Sequence, residues 1–345
     1  MIVPDYLRTM PKFLVIQTAF IGDVVLATGI LEKLHHFFPD AQLDYLVRKG
    51  NESLLAGHPF LDEVLVWDKK AGKYRDLFRL LKVIRAKKYD KVINVQRFAA
   101  TGLLTVLSGA KERIGYDKNP LSNFFDRRIP HIVSTTAAPK HEIERCNDLI
   151  AAFTDNVAYK PRLYPAAADH ERIMRYRKGN YIVIAPASVW FTKQYPAVKW
   201  IPFLKKLPAD LRVYIVGAPG DASLADEIIS GTGRENMESL CGKLSFLESI
   251  ALMEHARMNY VNDSAPMHFA SAVNAPVTAV FCSTIPAFGF GPLSDQQSIV
   301  EIEYPLACRP CGLHGRAACP QGHFKCALDI RDEQLLTSGG FFHTA

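Results

Sequence analysis

The stretch FLVIQTAFIGDVVLATGILEKLHHFF, residues 13–38, decides the fold. Its first residues form a short apolar run, which predicts a buried β-strand. From Gly22 onward the apolar residues recur at helical spacing, and Gly22 permits the tight turn between the two elements. A strand that passes directly into a helix of this length is the repeating unit of a parallel sheet covered by helices.

The same alternation continues through the first half of the chain. The predicted strands there are 13–17, 43–48, 64–68, 91–96 and 113–116, and the predicted helices are 22–38, 74–88 and 141–153. The stretch YKPRLYPAAADHERI (159–173) is rich in proline and alanine, and it is predicted to be a linker.

Beyond this linker the strand–helix pattern begins again. The predicted strands are 181–186, 212–217, 258–263 and 276–281, and the predicted helices are 197–207, 221–229, 245–257 and 265–273. We therefore expect two doubly wound α/β domains, residues 1–165 and 166–345. Ligands of such sheets bind beyond the carboxyl ends of the strands, so the expected site is a cleft between the domains.

Length and composition agree with two globular domains. The chain has 345 residues, of which 48% are hydrophobic and 22% charged, and this composition excludes disorder. No apolar run reaches the ~18–20 residues that a membrane-spanning helix needs. The first twenty residues do not resemble a secretory signal, so we expect a cytoplasmic protein.

The net charge of +6 is concentrated in the first half. Residues 1–170 hold 25 Lys and Arg against 19 Asp and Glu, whereas residues 171–345 hold 16 of each. Such an excess forms either a solvated face or a surface for an anionic partner: a phosphorylated substrate, a membrane or a nucleic acid. The basic helix 74–88 has no aromatic platform beyond Tyr74 and Phe78, so no nucleic-acid partner is predicted.

Three segments that follow predicted strands carry candidate chemistry. Asp23 opens the helix after the first strand, where it is either a general base or merely the N-cap. Asp263 and Ser264 precede a helix that contains Pro266 and His268, and the N-terminus of that helix suits a diphosphate. In APASVWFTKQYPAVKW (185–200), the possible phosphate donors are Ser188, Thr192 and Lys193.

Two further patterns allow more than one interpretation. His141 and Arg145 are four residues apart, which puts them on one helix face, either as a structural pair or as a contact for an anionic acceptor. Four cysteines crowd into the C-terminal segment, at Cys308, Cys311, Cys319 and Cys326. They are either reduced, packed cysteines or the ligands of a zinc ion, although the second pair is spaced too widely for a standard zinc ribbon.

The chain from about residue 12 to 330 resembles glycosyltransferase family 9, the ADP-heptose:lipopolysaccharide heptosyltransferases. The resemblance rests on an ordered set of motifs: residues 13–31, KHEIER (140–145), APASVWFTKQYP (185–196), VNDSAPMHFASAVNAPVTAVF (261–281) and the CRPC segment. It implies a GT-B architecture of two Rossmann-like domains, with the acceptor on the first and the nucleotide sugar on the second. The implied reaction is the inverting transfer of heptose from an ADP-sugar to the inner core of lipopolysaccharide, without metal or cofactor.

The resemblance also implies roles for individual residues. Asp23 matches the proposed general base, and Lys193 matches the lysine that contacts the donor diphosphate. The remaining donor-binding residues are Ser188, Thr192, Asp263, Ser264 and His268. The expected acceptor-binding residues are Thr18, Arg97, Arg113, His141 and Arg145. The implied partners are the ADP-sugar, a phosphorylated lipopolysaccharide-core acceptor and, through the basic face of helix 74–88, the inner-membrane surface.

The sequence departs from the family pattern at three places. Gln17 stands where a basic residue is usual, Ala265 replaces a glycine, and Cys282-Ser283-Thr284 replaces a Gly-Pro motif. These changes leave open a related transferase that uses another nucleotide sugar. A two-lobed sugar-binding protein without catalysis is the alternative from a different class.

Overall fold

The computed structural model describes residues 10–70 and 72–341. The chain divides into two compact units. The N-terminal unit extends through Val133 and continues with Glu142–Tyr164, and the C-terminal unit consists of Ser134–His141 and the chain from Pro165 onward. Among the described residues, no helix is both long and apolar enough to span a bilayer.

The N-terminal unit is built on a parallel sheet. In the described part of the chain its six strands are β1 (Lys12–Ile16), β2 (Gln42–Arg48), β3 (Glu63–Trp67), β4 (Lys91–Asn94), β5 (Glu112–Tyr116) and β6 (Arg127–Ile129). They pair in the order β3-β2-β1-β4-β5-β6, with every ladder parallel. The helices are α1 (Ile21–Phe37), α2 (Lys73–Lys87), α3 (Ala99–Val106) and α4 (Glu142–Asp148).

The C-terminal unit repeats this architecture. Its described strands are β7 (Tyr181–Ala185), β8 (Arg212–Ile215), β9 (Met237–Ser239), β10 (Met258–Asn262), β11 (Val277–Phe281) and β12 (Gln297–Glu301). Their order is β12-β11-β10-β7-β8-β9, again parallel. The helices are α5 (Ala167–Ile173), α6 (Ala197–Lys205), α7 (Ala222–Thr232), α8 (Phe246–Glu254), α9 (Ala265–Ala272), α10 (Lys325–Leu328) and α11 (Asp332–Ser338).

Burial explains why the sequence folds into parallel sheets. Strands β7, β10 and β11 are buried at every position, as expected of strands covered on both faces. On α2 the predicted apolar stripe packs into the core through Leu77, Leu80 and Ile84, while its other face is exposed. The prediction of two doubly wound α/β domains is confirmed.

The prediction of a linker over residues 159–173 is partly wrong. Residues 167–173 form helix α5, which begins where the Asp169 carboxylate accepts the backbone N–H of Ala166 at 2.8 Å. Arg172 ties this helix to Glu248 of α8 at 3.0 Å. Composition suggested a loop, but this cap and the packing against α8 favour a helix.

A buried lysine organises the end of the N-terminal unit. Lys33 of α1 is fully buried, and its Nζ donates to Asn147 Oδ1 at 2.7 Å. It also donates to the carbonyls of Asp155 and Val157 at 2.6 and 2.8 Å and forms an ion pair with Asp155 Oδ1 at 2.5 Å. These bonds satisfy the buried ammonium and fasten residues 147–157 to α1.

Candidate functional site

In the C-terminal unit, an ion pair joins two residues that the sequence predicted separately. Lys193 follows β7 in a short 3₁₀ turn, and Asp263 directly follows β10, the neighbouring strand. Lys193 Nζ lies 2.8 Å from Asp263 Oδ2, and their side chains are only 16% and 9% exposed. A largely desolvated ammonium therefore lies at the carboxyl edge of this sheet, held in position by a carboxylate.

The segment after β11 braces this pair. Thr284 Oγ1 donates to Asp263 Oδ2 at 2.5 Å, and Ser283 Oγ donates to Thr192 Oγ1 at 3.0 Å. Sequence reasoning noted Ser283 and Thr284 only as departures from a family pattern. The signal that could have identified them is their place after β11, because β11 pairs with β10.

Helix α9 begins beside Asp263. Ser264 is its N-cap residue, and Pro266 occupies the first turn, where a missing N–H does no harm. The partial positive charge of this helix N-terminus adds to that of Lys193 at the same sheet edge. Anions such as a diphosphate are stabilised at such an edge.

His268 lies inside α9 as a neutral group. Burial lowers its pKa to about 3, and the charges of His141 and Lys193 lower it as well. The imidazole is therefore uncharged at neutral pH, and the positive charge of this region comes from Lys193 and the helix.

Two other predicted donor-binding residues are engaged in loop structure. Thr192 is buried, and its hydroxyl accepts the backbone N–H of Arg316 at 2.8 Å in addition to the Ser283 hydroxyl. The carbonyl of Ser188 accepts from Gln194 Nε2 at 2.6 Å. Thr192 thus contributes to the site by fixing the loop that carries Lys193.

In the N-terminal unit, Asp23 lies in the first turn of α1, after the carboxyl end of β1. Helix α1 begins at Ile21 with Phe20 as the N-cap residue, so the interpretation of Asp23 as the N-cap is wrong. Its negative charge raises the pKa of Glu142, which places the two carboxyl groups within electrostatic range of each other.

Glu142 and Arg145 form a buried pair on α4. Arg145 Nη2 lies 2.5 Å from Glu142 Oε2, and both residues are buried. Burial raises the pKa of Glu142, whereas Arg145 lowers it, as does Arg97 to a smaller extent. Arg97, which follows β4, is exposed. Asp23, Glu142, Arg97 and Arg145 thus form one mixed group of charges in the N-terminal unit.

His131 belongs to the same group, and the sequence analysis missed it. Burial lowers its pKa to about 4, and the positive charges of Arg97 and Arg145 lower it too. Its ring contacts Tyr116 edge to face at 4.8 Å between centroids. The available signal was its position just after β6, since residues after strand ends are the ones to test in a parallel sheet.

Two predicted acceptor-binding residues have other contacts. His141 precedes α4 instead of lying on it, belongs to the C-terminal unit, and contacts the Gly291 carbonyl through Nε2 at 3.0 Å. Arg113 lies near the amino end of β5, where two guanidinium nitrogens donate to Asp126, each at 2.8 Å. The expectation that His141 and Arg145 share a helix face is wrong, because the helix starts one residue too late.

Thr18, the remaining acceptor candidate, is buried after β1. Lys69 Nζ donates to its carbonyl at 3.1 Å and to its hydroxyl at 3.3 Å. Lys69 follows β3 and was not singled out from the sequence. It places an ammonium beside the position where Gln17 replaces the usual basic residue.

Comparisons with known proteins converge on one family. The sequence model of glycosyltransferase family 9 (heptosyltransferase) matches residues 77–313. Lipopolysaccharide heptosyltransferase 3 of Escherichia coli is 29% identical over 282 residues, which cover 77% of this chain and 82% of that protein.

Solved structures show the same fold. ADP-heptose lipopolysaccharide heptosyltransferase II of E. coli aligns with a TM-score of 0.77 at 19% identity, over 95% of this chain and 97% of that one. A family 9 glycosyltransferase from Veillonella parvula aligns with a TM-score of 0.81 at 19% identity, over 96% of each chain. Both confirm the expected pair of Rossmann-like units.

Proposed function

Since the chain belongs to glycosyltransferase family 9, the heptosyltransferases, we propose that it transfers a heptose from an ADP-sugar to the inner core of lipopolysaccharide. The carrying observation is the Lys193–Asp263 ion pair beside the N-terminus of α9. This arrangement suits the diphosphate of a nucleotide sugar, and a similar solved protein is described as an ADP-heptose transferase.

In the proposed reaction the C-terminal unit stabilises the leaving group. When the bond between the anomeric carbon and the diphosphate oxygen breaks, negative charge accumulates on ADP. Lys193 and the first turn of α9 supply positive charge where that oxygen leaves, and Asp263 keeps the ammonium in place. We therefore propose transfer without a catalytic metal ion.

The N-terminal unit supplies the proposed general base. The acceptor hydroxyl oxygen forms the new bond to the anomeric carbon, and its proton passes to the Asp23 carboxylate. A single displacement of this kind inverts the configuration of the anomeric carbon. We assign Arg145 and Glu142 the role of positioning residues for the Asp23 carboxylate, because they form a buried pair.

Acceptor binding is proposed for the exposed Arg97, with Thr18 and Lys69 nearby along the same sheet edge. A guanidinium group suits the phosphates and acidic sugars of a lipopolysaccharide core. Because Asp126 holds Arg113 and His141 belongs to the C-terminal unit, these two contribute less to acceptor binding in this proposal.

The basic face of α2 is the proposed contact with the inner-membrane surface, which would place the reaction at its cytoplasmic side. Arg75 and Lys82 are exposed there, and Phe78 is 60% exposed between them. Anionic lipid attracts such residues, and salt screens that attraction. We expect binding to vesicles that contain phosphatidylglycerol, weakened at 0.5 M salt and in R75E/K82E. Binding that ignores salt and this variant would refute the contact.

The decisive experiment supplies purified protein with ADP-heptose and a lipopolysaccharide-core acceptor. Mass spectrometry should show an acceptor heavier by one heptose residue. Parallel reactions with ADP-glucose and with UDP- and GDP-sugars test the alternative donors. If one of these alternative donors supports transfer and ADP-heptose does not, the heptosyltransferase assignment is refuted. Binding of the sugar without turnover would refute the proposal that the protein is an enzyme.

A further inference from the structure

Helix α5, the first helix of the C-terminal unit, is short and weakly fastened. It has seven residues, and a helix of that length is stable only through its contacts with the rest of the protein. It packs against α8, where Arg172 pairs with Glu248, but the Arg172 side chain is 74% exposed. An exposed ion pair of this kind contributes little to stability. The C-terminal end of α8 offers a second connection to the same helix.

Three side chains of types that bind metals meet at this second place. His170 lies in the last turn of α5, Glu254 is the last residue of α8, and His255 is the C-cap residue of α8. Glu254 Oε2 lies 3.7 Å from His170 Nε2 and 3.9 Å from His255 Nε2. Within the described residues, this is the set of His, Cys, Asp and Glu side chains that offers three ligand atoms all within 4.8 Å of one another.

The carboxylate oxygen at the centre of this set has an unmet need for a partner. Both distances to the imidazole nitrogens are longer than a hydrogen bond. Among the residues that the structure describes, no group donates a hydrogen bond to Glu254 Oε2, although this atom is buried. A buried carboxylate oxygen without a donor is costly, so a cation bound between it and the two rings would stabilise the folded protein.

The spacing of the three atoms suits one small ion. Nitrogen and oxygen ligands lie ~2.0–2.2 Å from Zn²⁺, which puts two ligands of the same ion ~3.0–3.5 Å apart. The atoms found here are a little farther apart than that. Their side chains are between 30 and 38% exposed, so small rotations about the side-chain bonds can close the difference.

The charges around the set favour one class of metal. The C-terminus of α8 carries a partial negative charge, which favours a cation there. Burial lowers the pKa of His255, and the charge of Arg177 lowers it further, so this exposed guanidinium lies within electrostatic range and repels cations. Mg²⁺ and Ca²⁺ prefer oxygen ligands and bind through charge, whereas Zn²⁺ also bonds strongly to imidazole nitrogen. The two imidazoles therefore select zinc over Mg²⁺ and Ca²⁺.

We propose that His170, Glu254 and His255 bind one Zn²⁺ ion that joins α5 to the end of α8, with water in the fourth coordination position. The ion would act as a clasp between two helices, since its ligands come from both of them. It would hold α5 more firmly than the exposed Arg172–Glu248 pair does.

This site is separate from the donor site, and the proposal does not depend on the proposed function. His255 precedes β10 and Asp263 follows it, so the five residues of this strand put them about 16 Å apart. Another cavity of the C-terminal unit, about 210 Å³ in volume, is lined by thiols without disulfide bonds. These thiols belong to Cys308, Cys311, Cys319 and Cys326. Any metal that they bind has to be counted apart from the ion proposed here.

The first experiment counts zinc ions. The full chain is stripped with a chelator under reducing conditions and titrated with Zn²⁺ in competition with a chromophoric chelator. The wild-type protein should take up one equivalent more than His170→Gln and His255→Gln, because thiol-bound zinc is the same in all three. Glu171→Gln, which changes an exposed carboxylate next to His170 on α5, is the matched control and should bind like the wild type. Equal uptake by the wild type and His170→Gln would overturn the site.

The second experiment locates the ion without any variant. Hydrogen exchange of the wild-type protein is measured with the chelator, with Zn²⁺ and with Mg²⁺. Zinc should slow exchange in residues 167–173 and 250–256 about tenfold or more, and Mg²⁺ should leave both segments unchanged. Slower exchange in residues 308–326 alone would assign all bound zinc to the cysteines and overturn the proposal. Equal protection by Mg²⁺ would refute the selection by imidazole.

Discussion

The two units share one strand order but carry opposite chemistry at the carboxyl ends of their strands. In the C-terminal unit a desolvated lysine is paired with one carboxylate, beside the positive end of α9. In the N-terminal unit two carboxylates, Asp23 and Glu142, stand with two arginines. The scaffold thus fixes where polar residues gather, and the few residues after each strand decide the charge that gathers there.

The units also differ in how they use their charges. Several basic residues of the first half are paired internally: Lys87 contacts Asp44 and Glu63 at 2.6 Å, and Arg127 contacts Glu112 at 2.7 Å. Such pairs leave the net excess unchanged, but they show which basic residues are already engaged. The exposed basic residues of α2 and Arg97 are among those that remain for a partner.

The largest effect that tests this comparison is expected from the N-terminal unit. Asp23→Asn should lower kcat by roughly 10²–10⁴-fold while ADP binding changes little, because in the proposed reaction this carboxylate acts only on the acceptor proton. Steady-state kinetics and ADP calorimetry measure the two quantities. Asp40→Asn, an exposed carboxylate beyond the other end of α1, is the control and should be neutral. Parallel losses of rate and ADP affinity would rule out the role of Asp23 as base.

The matching change in the C-terminal unit should affect both quantities. Lys193→Ala removes the cation that the proposed reaction places against the leaving diphosphate, so kcat/KM should fall roughly 10²–10³-fold with weaker ADP binding. Lys205→Ala, on the exposed side of α6, provides the control. Unchanged ADP affinity in Lys193→Ala would mean that the anion site lies elsewhere.

A third change separates the stabilities of the units. Lys33→Met removes the buried ammonium and leaves its hydrogen-bond acceptors without a donor. The N-terminal unit should be destabilised by about 3 kcal/mol. Hydrogen exchange should show faster opening of residues 147–157 with little change in the C-terminal sheet. Lys206→Met removes an exposed ammonium from Asp332, which Lys199 still contacts, and from the exposed Glu333, so stability should change by less than about 1 kcal/mol. Equal loss in both units would mean that they unfold together.

The smallest effect concerns pH. Burial lowers the pKa of His58 and His131 to about 4 and that of His268 to about 3, below their ordinary value of 6.5. The folded protein holds these histidines neutral, so their contribution to the free energy of unfolding is complete above pH 6.5. It is lost as pH falls toward their lowered pKa values. Each histidine should steepen the loss by about 1.4 kcal/mol per pH unit once the unfolded chain is protonated.

Denaturant titrations at pH 6.0 and 5.0 measure this slope. His268→Gln should reduce it by about one proton, and His58→Gln should do the same for the N-terminal unit. His36→Gln, at the exposed end of α1, should leave the slope unchanged. A slope identical in all these proteins would show that the buried histidines do not control it.

The fold was largely predictable, because each strand–helix unit is encoded locally by apolar periodicity. The candidates Asp23, Lys193 and Asp263 could also be predicted from the sequence, since each follows a strand. The contact of Lys193 with Asp263 was not, because it depends on β7 lying next to β10, and no local pattern states that order. The support from Ser283 and Thr284 was hidden for the same reason.

The errors have local physical causes. The spacing of His141 and Arg145 is helical, but α4 starts after His141, so the rule for residues four apart did not apply. The composition of 167–173 resembled a linker, yet the Asp169 cap makes it a helix. Helix boundaries depend on such single hydrogen bonds, which are weak signals in a sequence.

The eight residues Ser134–His141 limit how this protein can be recombined with its relatives. Ser134 Oγ donates to the Ala287 carbonyl at 2.5 Å and His141 contacts Gly291, so this early segment is completed by residues encoded much later in the gene. A chimera joined at Tyr164 would combine the segment of one parent with the 287–291 loop of the other. Exchange of C-terminal units between homologues therefore requires Ser134–His141 to be exchanged with the chain from Pro165 onward.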